Sequence, residues 1–241
     1  MIHIDQLGFA YNGQPVLTDI SAHIPKGECV ALLGANGSGK STLLMLLTGL
    51  YSPGRGQVRI GNLRSPGQER NLRRSVGLLL QDADLQILGA TVQEDLRLGL
   101  GAEGKGLEAA WSLAGRFDLQ DKWETPVQHL SGGQKRKLCL AGMLLRHPEV
   151  LLYDEPFSGL DYPAMLELRS LLKAHAAQGI TQIVAAHDVE PLIGVATGCL
   201  VLDQGSLVSK GSLPEVMDDL ARFKIRPPCS WQREKRLFEW E

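Results

Sequence analysis

Residues 34–42 constrain the fold of this chain more than any other part of the sequence. They read GANGSGKST, match the pattern G-x-x-x-x-G-K-[ST], and follow the apolar run Cys29–Leu33. Glycines let the main chain turn so tightly that successive N–H groups point inward at phosphates. Residues 41–48 are predicted to form a helix whose positive N-terminal end attracts the same anions. This segment therefore predicts a phosphate-binding loop between a buried strand and a helix.

Two side chains of this loop carry the chemistry that a bound triphosphate needs. Lys40 supplies a positive charge for the β- and γ-phosphates, and Ser41 offers a hydroxyl oxygen to Mg²⁺. A chain of this length matches the pattern by chance about once in a hundred, so a mere glycine-rich turn is disfavoured. The candidate phosphate-binding residues are Gly34, Ala35, Asn36, Gly37, Ser38, Gly39, Lys40, Ser41 and Thr42.

A second apolar run, residues 150–153, ends in two carboxylates, Asp154 and Glu155. Ligands of open α/β sheets bind at the carboxyl ends of strands, so we expect Asp154 beside the phosphate loop. There Asp154 can hold the hydration shell of Mg²⁺, and Glu155 can polarise an attacking water. An Asp-Glu pair after a strand is more often a solvated strand end, and only the neighbouring phosphate loop favours the catalytic interpretation.

The remaining pattern predicts an α/β protein. Short apolar runs separated by helical segments favour a mainly parallel central sheet covered on both faces. Strands are predicted at residues 29–33, 76–80, 150–153 and 183–186, and a hairpin at residues 199–208. Residues 85–128 lack a strand signal and contain a helical piece at 106–113, so we interpret them as a helical insertion. A further helix is predicted to begin at Ser212, its N-cap, with Pro214 in the first turn.

Composition excludes several classes of protein. The 25 basic and 27 acidic residues give a net charge of −2, so no overall basic field favours nucleic acid. No apolar run approaches the roughly 18 residues of a membrane span, and the N-terminus does not resemble a signal peptide. The four cysteines are widely separated, which predicts reduced thiols in a cytosolic protein.

The segment Leu130-Ser131-Gly132-Gly133-Gln134 precedes a helix predicted at residues 135–145 and supplies a second anion-binding helix end. The sequence LSGGQ, followed 20 residues later by Asp154, is the hallmark of the ATP-binding cassette (ABC) ATPases. From Tyr11 to His187 the chain resembles this family throughout. The resemblance implies an α/β fold with a P-loop NTPase core, an N-terminal antiparallel β subdomain and an inserted α-helical subdomain at about residues 85–146. It also implies an ABC ATPase domain over residues 1–215 and a short helical or irregular tail over 216–241.

The resemblance also implies roles for single residues that would be unremarkable alone. Tyr11 matches the aromatic residue that stacks on adenine, and Gln81 matches the glutamine that senses Mg²⁺ and the transport partner. Asp161, in the segment Ser158-Gly-Leu-Asp161, matches the D-loop. His187 matches the switch histidine that contacts the γ-phosphate. Together with the motifs above, this implies ATP and Mg²⁺ as ligands, with Lys40, Glu155 and His187 catalytic. The implied Mg²⁺ ligands are Ser41, Gln81 and Asp154.

In this family two cassettes pack head to tail around the nucleotide. The resemblance therefore implies a second ATPase subunit, in a homodimer, as a partner. Residues of one copy would then contact ATP held by Lys40 of the other copy. The residues implied in this contact are Ser131, Gly132, Gly133, Gln134 and Asp161.

Residues 81–95, QDADLQILGATVQED, resemble the Q-loop region of energy-coupling factor (ECF) importers, typically Q-[ND]-P-D-x-Q-x-x-x-x-T-V-x-E-D. Ala83 replaces the usual proline, and residues 225–228, IRPP, are similar to the ending of that group. This resemblance implies an ATPase at the cytoplasmic face of the membrane that powers uptake of a cobalt or nickel ion or a vitamin such as biotin. It would act on a transmembrane subunit with coupling helices and on a separate substrate-binding membrane subunit. The candidate groove residues, which are equally compatible with a subdomain core, are Leu85, Ile87, Leu88 and Val92.

Two alternatives stay open on sequence grounds. One is the ATPase of a conventional ABC importer or exporter, which would lack the ECF-like segment. The other is a cassette that acts on DNA or the ribosome. Such proteins usually carry duplicated cassettes, long coiled-coil insertions or strong basic patches, and none is seen in this sequence. We therefore expect no nucleic-acid partner.

Overall fold

The structure is a computed structural model that describes residues 1–100 and 106–240. Its strands are β1 (Ile2–Tyr11), β2 (Gln14–Ile24), β3 (Cys29–Leu33), β4 (Arg55–Ile60), β5 (Leu63–Ser65), β6 (Val76–Leu79), β7 (Val150–Asp154), β8 (Thr181–Ala186), β9 (Gly198–Asp203) and β10 (Ser206–Gly211). Its α-helices are α1 (Lys40–Leu47), α2 (Glu69–Ser75), α3 (Val92–Gly99), α4 (Leu107–Arg116), α5 (Gly132–Leu144), α6 (Tyr162–Ala177), α7 (Leu213–Val216) and α8 (Cys229–Glu234). Short 3₁₀ helices lie at Ala83–Leu85, Gln120–Lys122, Val127–His129, Glu190–Leu192 and Leu220–Phe223.

A six-stranded sheet with the order β10-β9-β3-β8-β7-β6 forms the centre of the molecule. The five strands from β9 to β6 run parallel, and β10 pairs antiparallel with β9 in the predicted hairpin. All residues of β3, β7 and β8 are buried, which explains why the sequence shows unbroken apolar runs at residues 29–33, 150–153 and 183–186 rather than alternating patterns. The prediction of a mainly parallel central sheet is confirmed.

A second, antiparallel sheet has the order β2-β1-β4-β5 and matches the expected N-terminal β subdomain. Its inward residues, such as Ile4 and Val58, share one buried cluster with Leu32 of β3 and Leu43 of α1. This cluster lies between the two sheets and fixes the helix that follows the phosphate loop. The opposite face of the central sheet contributes to a separate cluster with the helices of the insertion.

The insertion contains α3, α4 and α5, and two 3₁₀ turns lie between α4 and α5. Five of its residues, 101–105, lie outside the described residues. Helix α5 begins at Gly132, three residues before the predicted start. The reason is a capping box: the Gln134 N–H donates to Ser131 Oγ at 3.3 Å, and the Ser131 N–H donates to Gln134 Oε1 at 2.9 Å. The same device, between Ser212 and Glu215, begins α7 at its predicted position.

The C-terminal segment packs back onto α6. Glu239 forms ion pairs with Lys173 and, at 3.6 Å, with Arg169, and the Trp240 ring lies 5.3 Å from the Arg169 guanidinium. The last residue, 241, lies outside the described residues. The four cysteines are unpaired, as expected for reduced thiols.

Among the described residues there is no helix with both the length and the apolar character needed to cross a membrane.

Candidate active site

The phosphate loop follows β3 and ends where α1 begins, and its backbone requires glycine at positions 34 and 39. A Cβ atom at Gly34 would lie 2.3 Å from Ser38 Oγ and 2.6 Å from the Leu202 carbonyl oxygen. Gly39, the N-cap of α1, has a φ of 103° and no side chain caps the helix. The main-chain N–H groups of the first turn are therefore left to bind an anion.

Lys40 is buried, and its Nζ atom points into the loop. It donates to the carbonyl oxygens of Gly34 at 2.8 Å and Ala35 at 3.3 Å, and lies 3.2 Å from Glu155 Oε1. The buried Ser38 Oγ has no hydrogen-bond partner. The interior of the loop thus presents a cation and an unpaired hydroxyl, as a phosphate group requires.

Asp154, the last residue of β7, lies next to the start of α1. Its carboxylate accepts a hydrogen bond from the Ser41 hydroxyl, while its buried Oδ1 has no partner. Burial raises the pKa of Asp154, the negative charge of Glu155 adds to this rise, and the Ser41 hydrogen bond opposes it. A buried carboxylate oxygen beside a hydroxyl is a donor set that fits Mg²⁺, which prefers oxygen ligands.

Glu155 and His187 meet because β7 and β8 are parallel neighbours that end at the same edge of the sheet. His187 Nδ1 lies 2.7 Å from Glu155 Oε2, and the His187 main-chain N–H donates to the same oxygen at 3.3 Å. Glu155 has a φ of 48°, a left-handed conformation held by a 3.0 Å hydrogen bond from its N–H to the Ala185 carbonyl. Its carboxylate therefore lies between Lys40 and His187.

Tyr11 belongs to an aromatic cluster that sequence reasoning only partly found. Its ring centroid lies 4.9 Å from that of Phe9 and 5.6 Å from that of Tyr51, and its hydroxyl lies 3.4 Å from Thr42 Oγ1. Phe9 was detectable, because residues two apart on a strand share a face. Tyr51 gives no such signal, since only the fold brings it to β1.

The other predicted site residues do not touch the phosphate loop within the described part of this chain. No hydrogen bond there involves the side chain of Gln81. The Asp161 carboxylate caps α6 by accepting the Ala164 N–H at 3.0 Å. The signature residues Ser131, Gly132 and Gly133 are exposed at the start of α5. One copy of the chain thus brings together Lys40, Ser41, Asp154, Glu155 and His187 and leaves the signature free to face another molecule.

A groove of about 240 Å³ lies beside the segment of residues 81–88. Leu88, which is 81% exposed, borders it, and Leu85, 73% exposed, lies nearby on the surface. Ile87 is half-buried and packs on the insertion core. Of the two alternatives left open for Val92, the structure shows the subdomain core, because Val92 opens α3 with its side chain fully buried in that core. The groove is lined by Arg74, Val76, Gly77, Leu78, Gln86, Leu88, Asp95, Leu98, Gly99, Cys139, Gly142, Met143, Arg146 and Pro148.

Comparison with known proteins identifies the family and several relatives of this chain. The sequence profile described as ABC transporter matches residues 17–158. The cobalt import ATP-binding protein CbiO of Rhodobacter capsulatus is 40% identical over 238 residues, covering 93% of this chain and 84% of that protein. The energy-coupling factor transporter ATP-binding protein EcfA of Onion yellows phytoplasma is 34% identical, covering 95% and 87% of the two chains. The solved structure of CbiO1 from Clostridium perfringens, described as part of the ABC transporter complex CbiONQ, has a TM-score of 0.79 at 29% identity and covers 97% and 95%.

Proposed function

This chain belongs to the ABC transporter family, and from that premise we propose that it is the ATP-hydrolysing subunit of an energy-coupling factor importer. The observation that carries the proposal is the meeting of Lys40, Asp154, Glu155 and His187 at one edge of the parallel sheet. We assign the ATPase to residues 1–215 and regard residues 216–241 as a tail, in which Glu239 and Trp240 contact α6.

The arrangement supports in-line attack of water on the γ-phosphate of ATP. The loop N–H groups and Lys40 bind the phosphates, and the charge of Lys40 stabilises the negative charge that develops during transfer. Glu155 accepts a hydrogen bond from the attacking water, and His187 orients the carboxylate of Glu155 and contacts the γ-phosphate. Mg²⁺, when bound by Ser41 and Asp154, would supply further neutralisation of the phosphate charge. The family resemblance adds Gln81 as a third ligand, although its side chain forms no hydrogen bond with the described residues of the phosphate loop. Tyr11 stacks on the adenine ring.

The exposed signature favours a head-to-tail homodimer. Ser131, Gly132 and Gly133 have no contact with the phosphate loop of their own chain among the described residues, and they lie at the N-terminal end of α5. In a second copy the same helix end, with Gln134 and Asp161, would close over ATP held by Lys40. ATP then forms part of the dimer interface, so that its binding favours dimerisation and its hydrolysis weakens it.

The groove beside residues 81–88 supports a membrane partner. Its borders combine apolar side chains, such as Leu88 and Leu98, with charged ones, such as Arg146 and Asp95. An amphipathic coupling helix of a transmembrane subunit has the matching chemistry. The chain would then act at the cytoplasmic face of the membrane, with cargo selected by a separate substrate-binding membrane subunit. The name of the CbiO relative, a cobalt import ATP-binding protein, favours a transition-metal ion such as cobalt over a vitamin as the transported solute.

The proposal is tested by ATP hydrolysis and by capture of membrane subunits. The purified chain should hydrolyse ATP with a Mg²⁺ requirement, and Lys40→Ala should abolish this activity. Leu88→Asp should prevent co-purification with the transmembrane subunit but leave ATP binding intact. The control Leu107→Asp, on the exposed surface of α4, should still co-purify with that subunit. Absence of hydrolysis with and without the cognate membrane subunits would refute the proposal.

A further inference from the structure

Arg136, which no motif identifies, holds three separate segments together. Its Nη1 donates to the main-chain carbonyls of Pro156 and, at 3.0 Å, of Ser158, while Nη2 donates to the Gln81 carbonyl at 3.2 Å. Arg136 itself belongs to α5, five residues after Ser131. One guanidinium therefore connects helix α5, residues 156–158 directly after Glu155, and the start of residues 81–88, which we call the groove segment.

The chemistry of this contact is unusual for a residue that serves only stability. Arg136 is partly buried, and burial lowers the pKa of its guanidinium. Within the part of the chain that the structure describes, it forms no ion pair, so its charge is balanced only by carbonyl dipoles. Its neighbours on α5 are paired conventionally: Lys135 with Asp84 at 2.6 Å, and Lys137 with Asp118 at 3.0 Å and Glu167 at 3.4 Å. A cation desolvated without a counterion gains little net free energy, which points to geometry as its purpose.

The planar guanidinium suits a geometric role. Its donors form a rigid fork, so the carbonyls of Gln81, Pro156 and Ser158 are held at a fixed separation. Pro156 is bonded directly to Glu155, whose left-handed φ of 48° makes its carboxylate direction sensitive to the chain that follows. The other end of the fork holds Gln81, from which the segment that borders the groove begins.

We propose that Arg136 is a positioning residue that couples the groove segment to Glu155. Displacement of residues 81–88 by a helix in the groove moves the Gln81 carbonyl, and the guanidinium transmits this movement to Pro156 and Ser158. The orientation of the Glu155 carboxylate toward water then depends on what occupies the groove. The inference rests on the proposed ATPase function and adds the residue through which a membrane partner regulates hydrolysis.

The test compares Arg136→Gln and Arg136→Lys with Lys137→Gln as the matched control. Lys137→Gln removes one positive charge from the same helix, but Lys137 pairs with Asp118 and Glu167 and not with residues 81–88 or 156–158. For each purified full-length chain, kcat and KM for ATP are measured alone and with the cognate transmembrane subunit, together with the melting temperature.

We expect Arg136→Gln to lower kcat by about tenfold or more, with KM within about twofold of wild type. We also expect it to lose most of the change in kcat that the transmembrane subunit causes. Arg136→Lys should have the melting temperature of wild type but should also lack this response, since one ammonium group cannot reach three carbonyls. Lys137→Gln should behave as wild type.

Wild-type kcat and a wild-type response in Arg136→Gln would overturn the inference while leaving the proposed function intact. A different outcome would indicate a purely structural role and overturn the inference. In that outcome Arg136→Gln lowers kcat, raises KM and lowers the melting temperature together, and Arg136→Lys has wild-type values of all three. A wild-type chain that hydrolyses no ATP would instead refute the proposed function, and the inference with it.

Discussion

The ammonium group of Lys40 lies 3.2 Å from Glu155 Oε1, and His187 Nδ1 lies 2.7 Å from the other oxygen of the same carboxylate. Glu155 and Lys40 are both buried, so each depends on the other for electrostatic compensation. In the mechanism proposed above, a γ-phosphate bound in the loop would compete with Glu155 for Lys40. Transfer of the ammonium group to the phosphate would release one carboxylate oxygen, which could then accept a proton from water. Nucleotide binding would thereby also activate the proposed general base.

Glu155→Gln should reduce kcat for ATP hydrolysis by at least about a hundredfold, because an amide cannot accept the proton of the attacking water. Affinity for ATP should be unchanged or higher, since Lys40 loses a competing carboxylate. Single-turnover hydrolysis and equilibrium binding of ATP separate the two effects. Glu108→Gln, on the surface of α4, serves as the control and should match wild type in both. Undiminished turnover in Glu155→Gln would refute the assignment.

Asp154→Asn should stabilise the protein in the absence of Mg²⁺ and nucleotide while abolishing Mg²⁺-dependent hydrolysis. The pKa of Asp154 is raised chiefly by burial, so the native state holds its proton more tightly than the unfolded chain does. Stability therefore falls as pH rises above the unfolded pKa, and at pH 7 the buried charge is a cost that asparagine removes.

Thermal unfolding at pH 7 measures this gain, because each 1 kcal/mol in the free energy of unfolding raises the melting temperature by roughly 2–4 °C. Asp121→Asn, at an exposed site, should leave the melting temperature unchanged. A lower melting temperature in Asp154→Asn would show that the ionised carboxylate stabilises the fold.

Tyr11→Ala should raise KM for ATP by about tenfold, because stacking of a base on an aromatic ring contributes roughly 1–3 kcal/mol. Tyr11→Phe keeps the ring and loses the hydroxyl, which lies 3.4 Å from Thr42 Oγ1 and also interacts with the Tyr51 hydroxyl, so its KM should stay within about twofold of wild type. Steady-state kinetics over a range of ATP concentrations provide the comparison. An equal loss in the two variants would mean that the hydroxyl, and not the ring, binds the nucleotide.

Stability should fall as pH is lowered from 7 toward 5, because of His175. Burial, aided by the charge of Arg116, lowers the pKa of His175 from 6.5 to about 4. Below pH 6.5 the unfolded chain binds a proton that the native state does not, which costs at most about 1.4 kcal/mol per pH unit.

The variant His175→Gln has no such proton to bind, and its amide oxygen can still accept from the Tyr153 hydroxyl, which lies 3.3 Å from His175 Nδ1. Chemical denaturation at several pH values should therefore show a shallower pH dependence for His175→Gln. Parallel curves for the two proteins would contradict the role of His175.

The C-terminal part of the chain separates features that local sequence predicts from features that it does not. The sequence predicts that Ser212 caps a helix, and the structure confirms this, because a capping box needs only residues three apart. The packing of Trp240 on Arg169 follows no local rule and was not predicted. The same contrast separates Val92 from Leu88: both are apolar residues of one segment, yet one is fully buried and the other 81% exposed. The packing of the neighbouring helices buries Val92, at the start of α3, and leaves Leu88, which precedes α3, on the surface.

Local sequence patterns were sufficient to predict the phosphate loop, the apolar parallel strands and the carboxylates at the end of β7. These features depend on residues that are adjacent in the chain, whose allowed φ angles and hydrogen bonds are local properties. Long-range packing, by contrast, sets the contacts of Glu155 with Lys40 and His187, brings Tyr51 to Tyr11, and lets Arg136 span three segments. Those relationships join residues from separate elements, and their distances are set by how the strands align and how the helices pack over them.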